Sequence, residues 1–149
     1  MSLLMDERRK ATPWHLWLVG VLALLWNAVG AIDYVMTQTR NEQYMSAFSE
    51  EQLAFFYGLP AWVVACWATA VWGGVVGSLL LLARRRLAVP VFLLSLLTMV
   101  ATSVHNYLLS NGLEVMNDPF ALWFSGAIFV IAVLLFAYAA WLSRRNVLR

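Results

Sequence analysis

Ser95, Thr98, Thr102 and His105 recur at spacings of three, four and three, with Asn106 beside the last of them. Residues so spaced share one face of a helix. A second polar arc comes from His15, Trp26, Asn27, Gly30, Asp33 and Tyr34, which at about 100° per residue fall in one broad sector. Trp17, Val21, Leu24, Ala28 and Val35 lie opposite. The reactive groups in these arcs are a carboxylate and an imidazole. If Asp33 met His105, each would stabilise the charged form of the other. Such a pair binds and releases a proton near neutral pH, or serves as a fixed structural lock. Asn27, Thr102, Asn106 and Tyr34 would surround it, and the simplest role for Asn27 is an interhelical hydrogen bond.

These arcs lie in apolar stretches long enough to cross a bilayer, at 14–36, 61–82, 87–109 and 121–141. A spanning helix needs about 20 such residues. An amide or carboxylate facing lipid costs several kcal/mol, so both arcs should face the protein interior. The expected fold is therefore all-α, a single membrane domain over residues 1–149 built as a four-transmembrane-helix bundle. At 62% hydrophobic and 12% charged, the 149-residue chain is too apolar for a soluble domain of this size. The first span is too long for a signal peptide and lacks a clear cleavage site, so it is expected to remain as an anchor.

Charge sets the expected orientation. Arg8, Arg9 and Lys10 precede the first span, Arg84, Arg85 and Arg86 join the second to the third, and Arg144, Arg145 and Arg149 follow the fourth. Only Arg40 falls on the other side. The positive-inside rule then predicts cytoplasmic termini and two external loops. The net charge of +2 arises from the cytoplasmic clusters, which suit anionic lipid headgroups and give no reason to expect a nucleic-acid partner. In this orientation Asp33 and His105 share a depth near the external surface. His15 lies about 25 Å or more from His105 at 1.5 Å rise per residue, so one haem cannot bridge the two histidines. A metal at Asp33, His105 and Glu114 has no supporting ligand spacing, and no cofactor is expected. Cys66 is the single cysteine, which excludes an intramolecular disulfide.

The first external loop carries FSEEQLAFF. Ser49 and Gln52 form a capping-box pattern with Phe48 and Leu53 in the staple positions, which predicts a short amphipathic helix at 50–57. Its Leu53, Phe56 and Tyr57 are expected at the membrane surface. Thr12 and Pro13 read as the start of the first helix, Asn111 and Gly112 as the end of the third, and Asp118 and Pro119 as the start of the fourth. On the second span Ala61, Ala65, Thr69, Gly73 and Gly77 place a small residue at every fourth position, ending in GxxxG. Such a face admits another backbone closely, inside the bundle or from a second subunit. Trp26, Trp67 and Trp72 lie deep enough to fill the core or to touch a planar ligand such as a quinone or pigment. GxSxG, HExxH and phosphate-loop motifs are missing, which argues against an enzyme.

The segments WNAVGAIDYVMTQ, FSEEQLAFFYGLPAWVVACW, VWGGVVGSLLLLARRRLAVPVFLLSL and LSNG resemble a family of small four-span bacterial inner-membrane proteins whose members are often labelled sugar transporters. The resemblance covers most of the chain and implies a multi-pass inner-membrane protein. The chain lacks the proline-glutamine motif of the small three-span sugar transporters. The leading expectation is a non-enzymatic protein that packs against itself, as a homo-oligomer, or against a larger membrane complex through the small face of the second span. Proton-linked transport of a small solute such as a sugar is the alternative, and a quinone- or pigment-contacting subunit is a third.

Overall fold

The computed structural model describes residues 13–110 and 119–148. Four long helices dominate: α1 (Trp14–Gln38), α4 (Ala61–Leu82), α5 (Ala88–Val104) and α6 (Pro119–Arg144). Two short ones, α2 (Glu42–Met45) and α3 (Glu50–Tyr57), fill the link between α1 and α4. A π-helical turn over His105–Leu109 extends α5. The expected spans agree with these elements, although α6 already begins at Pro119. Pro13 itself occupies the cap position of α1, with extended backbone and no side-chain cap, whereas the sequence suggested Thr12. Thr12, Asn111, Gly112, Glu114 and Asp118 lie outside the described residues.

Only 17% to 28% of each apolar span is buried within the chain. Leu25, Val29, Leu97, Leu134 and other large apolar side chains point outward along all four helices. Water would not tolerate an apolar exterior of this extent, whereas lipid requires one. The chain is a multi-pass membrane protein built as an all-α four-helix bundle.

Helix α1 packs on α4, α4 on α5, and α5 on α6. Between α1 and α6 the backbones stay apart, and side chains close the ring: His15 Nδ1 lies 2.5 Å from the Tyr138 hydroxyl, and Trp26 meets Phe124 at 5.7 Å. Two ends of the bundle can be told apart by their charges. At the basic end lie Arg84, Arg85, Arg86, Arg144 and Arg145; at the loop end lie α2 and α3.

The basic end is densely packed. Leu16, Leu81, Ala88, Ala139 and Leu142 are fully buried there, and Phe92 nearly so. Val147 and Leu148 fold back under the bundle and join this core. Arg84 Nε donates to the Val147 carbonyl at 3.3 Å and Arg86 Nε to the Leu148 carbonyl at 3.1 Å. Arg86 also donates to Asn146 Oδ1 at 2.9 Å. Two of the three arginines at this turn therefore hold the C-terminal segment, a role beyond the headgroup contact suggested by charge alone.

Three helices end without glycine in a motif that usually favours it. After α1, Asn41 N–H reaches Met36 O at 3.0 Å and Arg40 N–H reaches Thr37 O at 3.2 Å. The same crossed pair closes α4 through Arg85 and Arg84, and α6 through Val147 and Asn146. This is the Schellman arrangement. Its left-handed position is held by Arg40, Arg84 and Asn146, with φ of 53°, 59° and 59°. That conformation costs a residue with a side chain roughly 1–2 kcal/mol. The bonds of Arg84 to the tail, and the stacking of Arg40 over Tyr57 at 4.3 Å, offset part of it.

The small face of α4 is used mostly inside the bundle. A methyl group on Gly77 would lie 2.7 Å from the Phe92 ring, and one on Gly73 would lie 3.3 Å from Ser95 Cβ, so these glycines admit α5. Gly74 admits α1, because a methyl group there would overlap Asn27 Oδ1. Ala61 and Ala65 are exposed, and Thr69 turns its hydroxyl back onto Ala65 O at 2.8 Å. Of the two roles the sequence allows this face, Gly73 and Gly77 serve packing inside the bundle, where their close approach is taken by α5.

Candidate functional site

Toward the loop end the helices separate around a cavity of about 400 Å³. Small-molecule sites begin at roughly 300 Å³. Each long helix contributes for a local reason. From α1, Trp26, Asn27, Gly30 and Asp33 line it at spacings of one, three and three, the inward arc of an amphipathic helix. Helix α4 adds Trp67 and Val71, one turn apart. Helix α5 presents Ser95, Met99, Thr102 and Asn106 at four, three and four, and α6 presents Phe124, Ser125 and Ile128. Leu135 and Ile131 form the floor, where the packed core begins.

Asp33 is the one carboxylate in the described lining, which contains no Lys, Arg or His. Its Oδ1 accepts a hydrogen bond from the Tyr44 hydroxyl. Tyr44 reaches it because the chain reverses at Arg40 and Asn41 then caps α2, its Oδ1 accepting the Tyr44 N–H at 3.0 Å. Partial burial, then the bond to Asp33 and its negative charge, push the Tyr44 phenol up to about 12. The Tyr44 hydroxyl therefore keeps its proton throughout the physiological range.

His105 does not join Asp33. It packs edge-on against Trp62 of α4 at 5.4 Å, and its Nδ1 lies 3.1 Å from Asn106 Oδ1. No ion pair involving Asp33 occurs among the described residues. The reason is register: the inward row of α5 is 95, 99, 102 and 106, one step round from the row 95, 98, 102 and 105. Thr98 and His105 consequently sit beside the cavity rather than in its lining. The π-helical turn starts at His105, and Asn106 and Tyr107 within it face the cavity. Such turns are frequent at functional sites.

Of the other expected residues, Asn27 lines the cavity and donates to Ala23 O at 2.8 Å and Ser78 Oγ at 3.4 Å. That matches the interhelical bond expected of it. Thr102 lines the cavity with its hydroxyl donated to Thr98 O at 2.9 Å. Tyr34 turns aside and packs edge-on to Trp67 at 4.9 Å. His15 belongs to the opposite end with Tyr138 and Trp141.

Sequence reasoning missed Tyr44, and it missed Tyr107, whose hydroxyl lies 2.7 Å from Ser125 Oγ and links α5 to α6. Asn41, three residues before Tyr44, was the available signal, since that is N-cap spacing. The described residues bring together no group of three His, Cys, Asp or Glu side chains able to hold a metal. Comparison with protein-family models, with curated proteins and with solved structures returned no match, so the chemistry of the cavity is read from its own residues.

Proposed function

We propose that this chain is a non-enzymatic carrier in the bacterial inner membrane that takes a small solute into the loop-end cavity and couples its passage to protons through Asp33. One observation carries this reading: a carboxylate within a spanning helix faces a solute-sized cavity, with a tyrosine as its hydrogen-bond partner. An ionisable group within a spanning helix is costly to place against lipid, and such groups commonly mark substrate or proton paths. By the positive-inside rule the basic end and both termini are cytoplasmic, so the cavity belongs to the external side. The packed basic end then acts as the closed gate of an outward-facing state.

Proteoliposome uptake tests this. Solute accumulation is expected to follow an imposed pH gradient in the wild type and to lose that dependence in Asp33→Asn. Uptake indifferent to both the gradient and the substitution would overturn the assignment of Asp33.

A second reading is self-association, or docking to a larger membrane complex, through the part of the α4 small face that the bundle leaves open. Ala61 and Ala65 are exposed there, near the loop end. Crosslinking between cysteines at position 65, in a chain with Cys66 replaced by alanine, is expected for a dimer built on that face. A chain that stays monomeric in lipid would rule the face out.

A further inference from the structure

Resting on the solute-cavity reading above, we infer that the ligand of this cavity is a small organic cation, held by the Asp33 carboxylate among aromatic faces. A hydroxyl offers one donor and two acceptor positions. Ser95 donates to Ala70 O at 2.6 Å, Thr102 to Thr98 O at 2.9 Å, and Tyr44 to Asp33. Asn27 Nδ2 is likewise engaged with Ala23 O and Ser78. Those donors are committed to the protein, and the described lining holds one carboxylate and no cationic side chain.

A sugar presents donors and acceptors in equal measure and needs both returned. An ammonium-type ligand needs acceptors, negative charge and aromatic faces. The same lining supplies the rings of Trp26, Trp67, Tyr44 and Tyr107. Aromatic cages of this kind recognise quaternary ammonium groups through the negative faces of their rings.

The charge of the loop end has the same sign as the cavity. Among the described residues the loop end carries Asp33, Glu42, Glu50 and Glu51 against a single base, Arg40, whose guanidinium stacks on Tyr57. The basic end carries five arginines and no described acid. A cleft rimmed by one sign of charge raises the local concentration of the opposite ion.

The test is calorimetric titration of the protein in nanodiscs of zwitterionic lipid, with benzyltrimethylammonium as the cationic probe and glucose as the neutral one. The expected result is saturable binding of the cation that glucose does not displace. Binding of glucose without the cation would overturn the cation assignment and leave the solute-cavity reading standing. Binding of neither probe would overturn both. In Asp33→Asn the cation should bind at least about tenfold more weakly, and unchanged affinity would overturn the proposal. Should that variant fail to fold, Trp26→Leu decides in its place, with a loss of about fivefold or more expected and unchanged affinity counting against the cage.

Discussion

The two ends of this bundle are made from the same four helices and do opposite things with their side chains. At the basic end Leu16, Leu81 and Leu142 are fully enclosed, and the C-terminal segment is drawn in to complete the seal. At the loop end the inward residues are Asp33, Thr102, Asn106 and Ser125, which leave a cavity instead of a core. The difference lies in what the inward positions can reach. Aliphatic groups at the basic end interlock with one another. At the loop end Thr102 spends its hydroxyl on its own helix, at Thr98 O, and the polar links between helices are single bonds, Ser95 to Ala70 O and Tyr107 to Ser125, which tie the helices at points without interlocking their faces. In lipid, where no hydrophobic force pulls helices into contact, packing is what holds them. One end is therefore the structural anchor and the other is free to bind.

Truncation should expose this contrast most strongly. Leu142→Ala removes a fully enclosed side chain and is expected to cost about 2–4 kcal/mol, whereas Ile128→Ala, which only widens an existing cavity, should cost about 1 kcal/mol or less. Thermal unfolding in mild detergent measures both. Equal losses would mean that the loop end is packed as tightly as the basic end.

Enlargement gives a second contrast of somewhat smaller size. Gly77→Leu drives a side chain into the Phe92 ring and is expected to cost about 1–3 kcal/mol, with the α4–α5 contact disrupted. Gly126→Leu should be neutral or slightly stabilising, because nothing lies within 4 Å of a methyl group there. An unperturbed Gly77→Leu protein would show that the close approach of α4 and α5 is not what holds these helices.

The smallest effect concerns pH and is read at Tyr44 of the loop end. Tyr44 has its phenol raised from 10.0 to about 12. A raised folded-state value means that its stabilising contribution is fully present below pH 10 and is lost as the pH rises through about 12. Tyrosinate absorbance should show a step near pH 12 in the wild type that is removed in Tyr44→Phe. A spectrum unchanged by that substitution above pH 11 would remove the Asp33–Tyr44 bond from the account.

Features that depend on local repetition were legible in the sequence. The four spans follow from length and composition, and α3 follows from Ser49 and Gln52, whose reciprocal bonds of 3.2 and 3.1 Å close the capping box. Phe48, the residue before that cap, meets Phe56 edge-on at 5.2 Å. The inward arc of α1 was also readable, since Trp26, Asn27, Gly30 and Asp33 all line the cavity. What failed was partnership across helices. A wheel locates a face to within about one residue, and on α5 that single step separates His105, against Trp62, from Asn106 in the cavity. The partner Asp33 has comes from α2, a four-residue helix too short for periodicity to reveal. The turns were hidden for a related reason: Arg40, Arg84 and Asn146 occupy left-handed positions where glycine would have been the recognisable signal.

Water access decides the central contrast most directly, and two serines allow it to be read with near-isosteric substitutions. Ser103 lines the cavity, whereas Ser78 is fully buried between α4 and α1, bonded to Gly74 O at 2.7 Å. With Cys66 replaced by alanine, Ser103→Cys and Ser78→Cys are each exposed to a membrane-impermeant maleimide in intact, right-side-out vesicles. The account predicts rapid labelling at position 103 and none at position 78. Equal protection of both cysteines would mean that the loop end is closed to water and that the cavity is not a solute site.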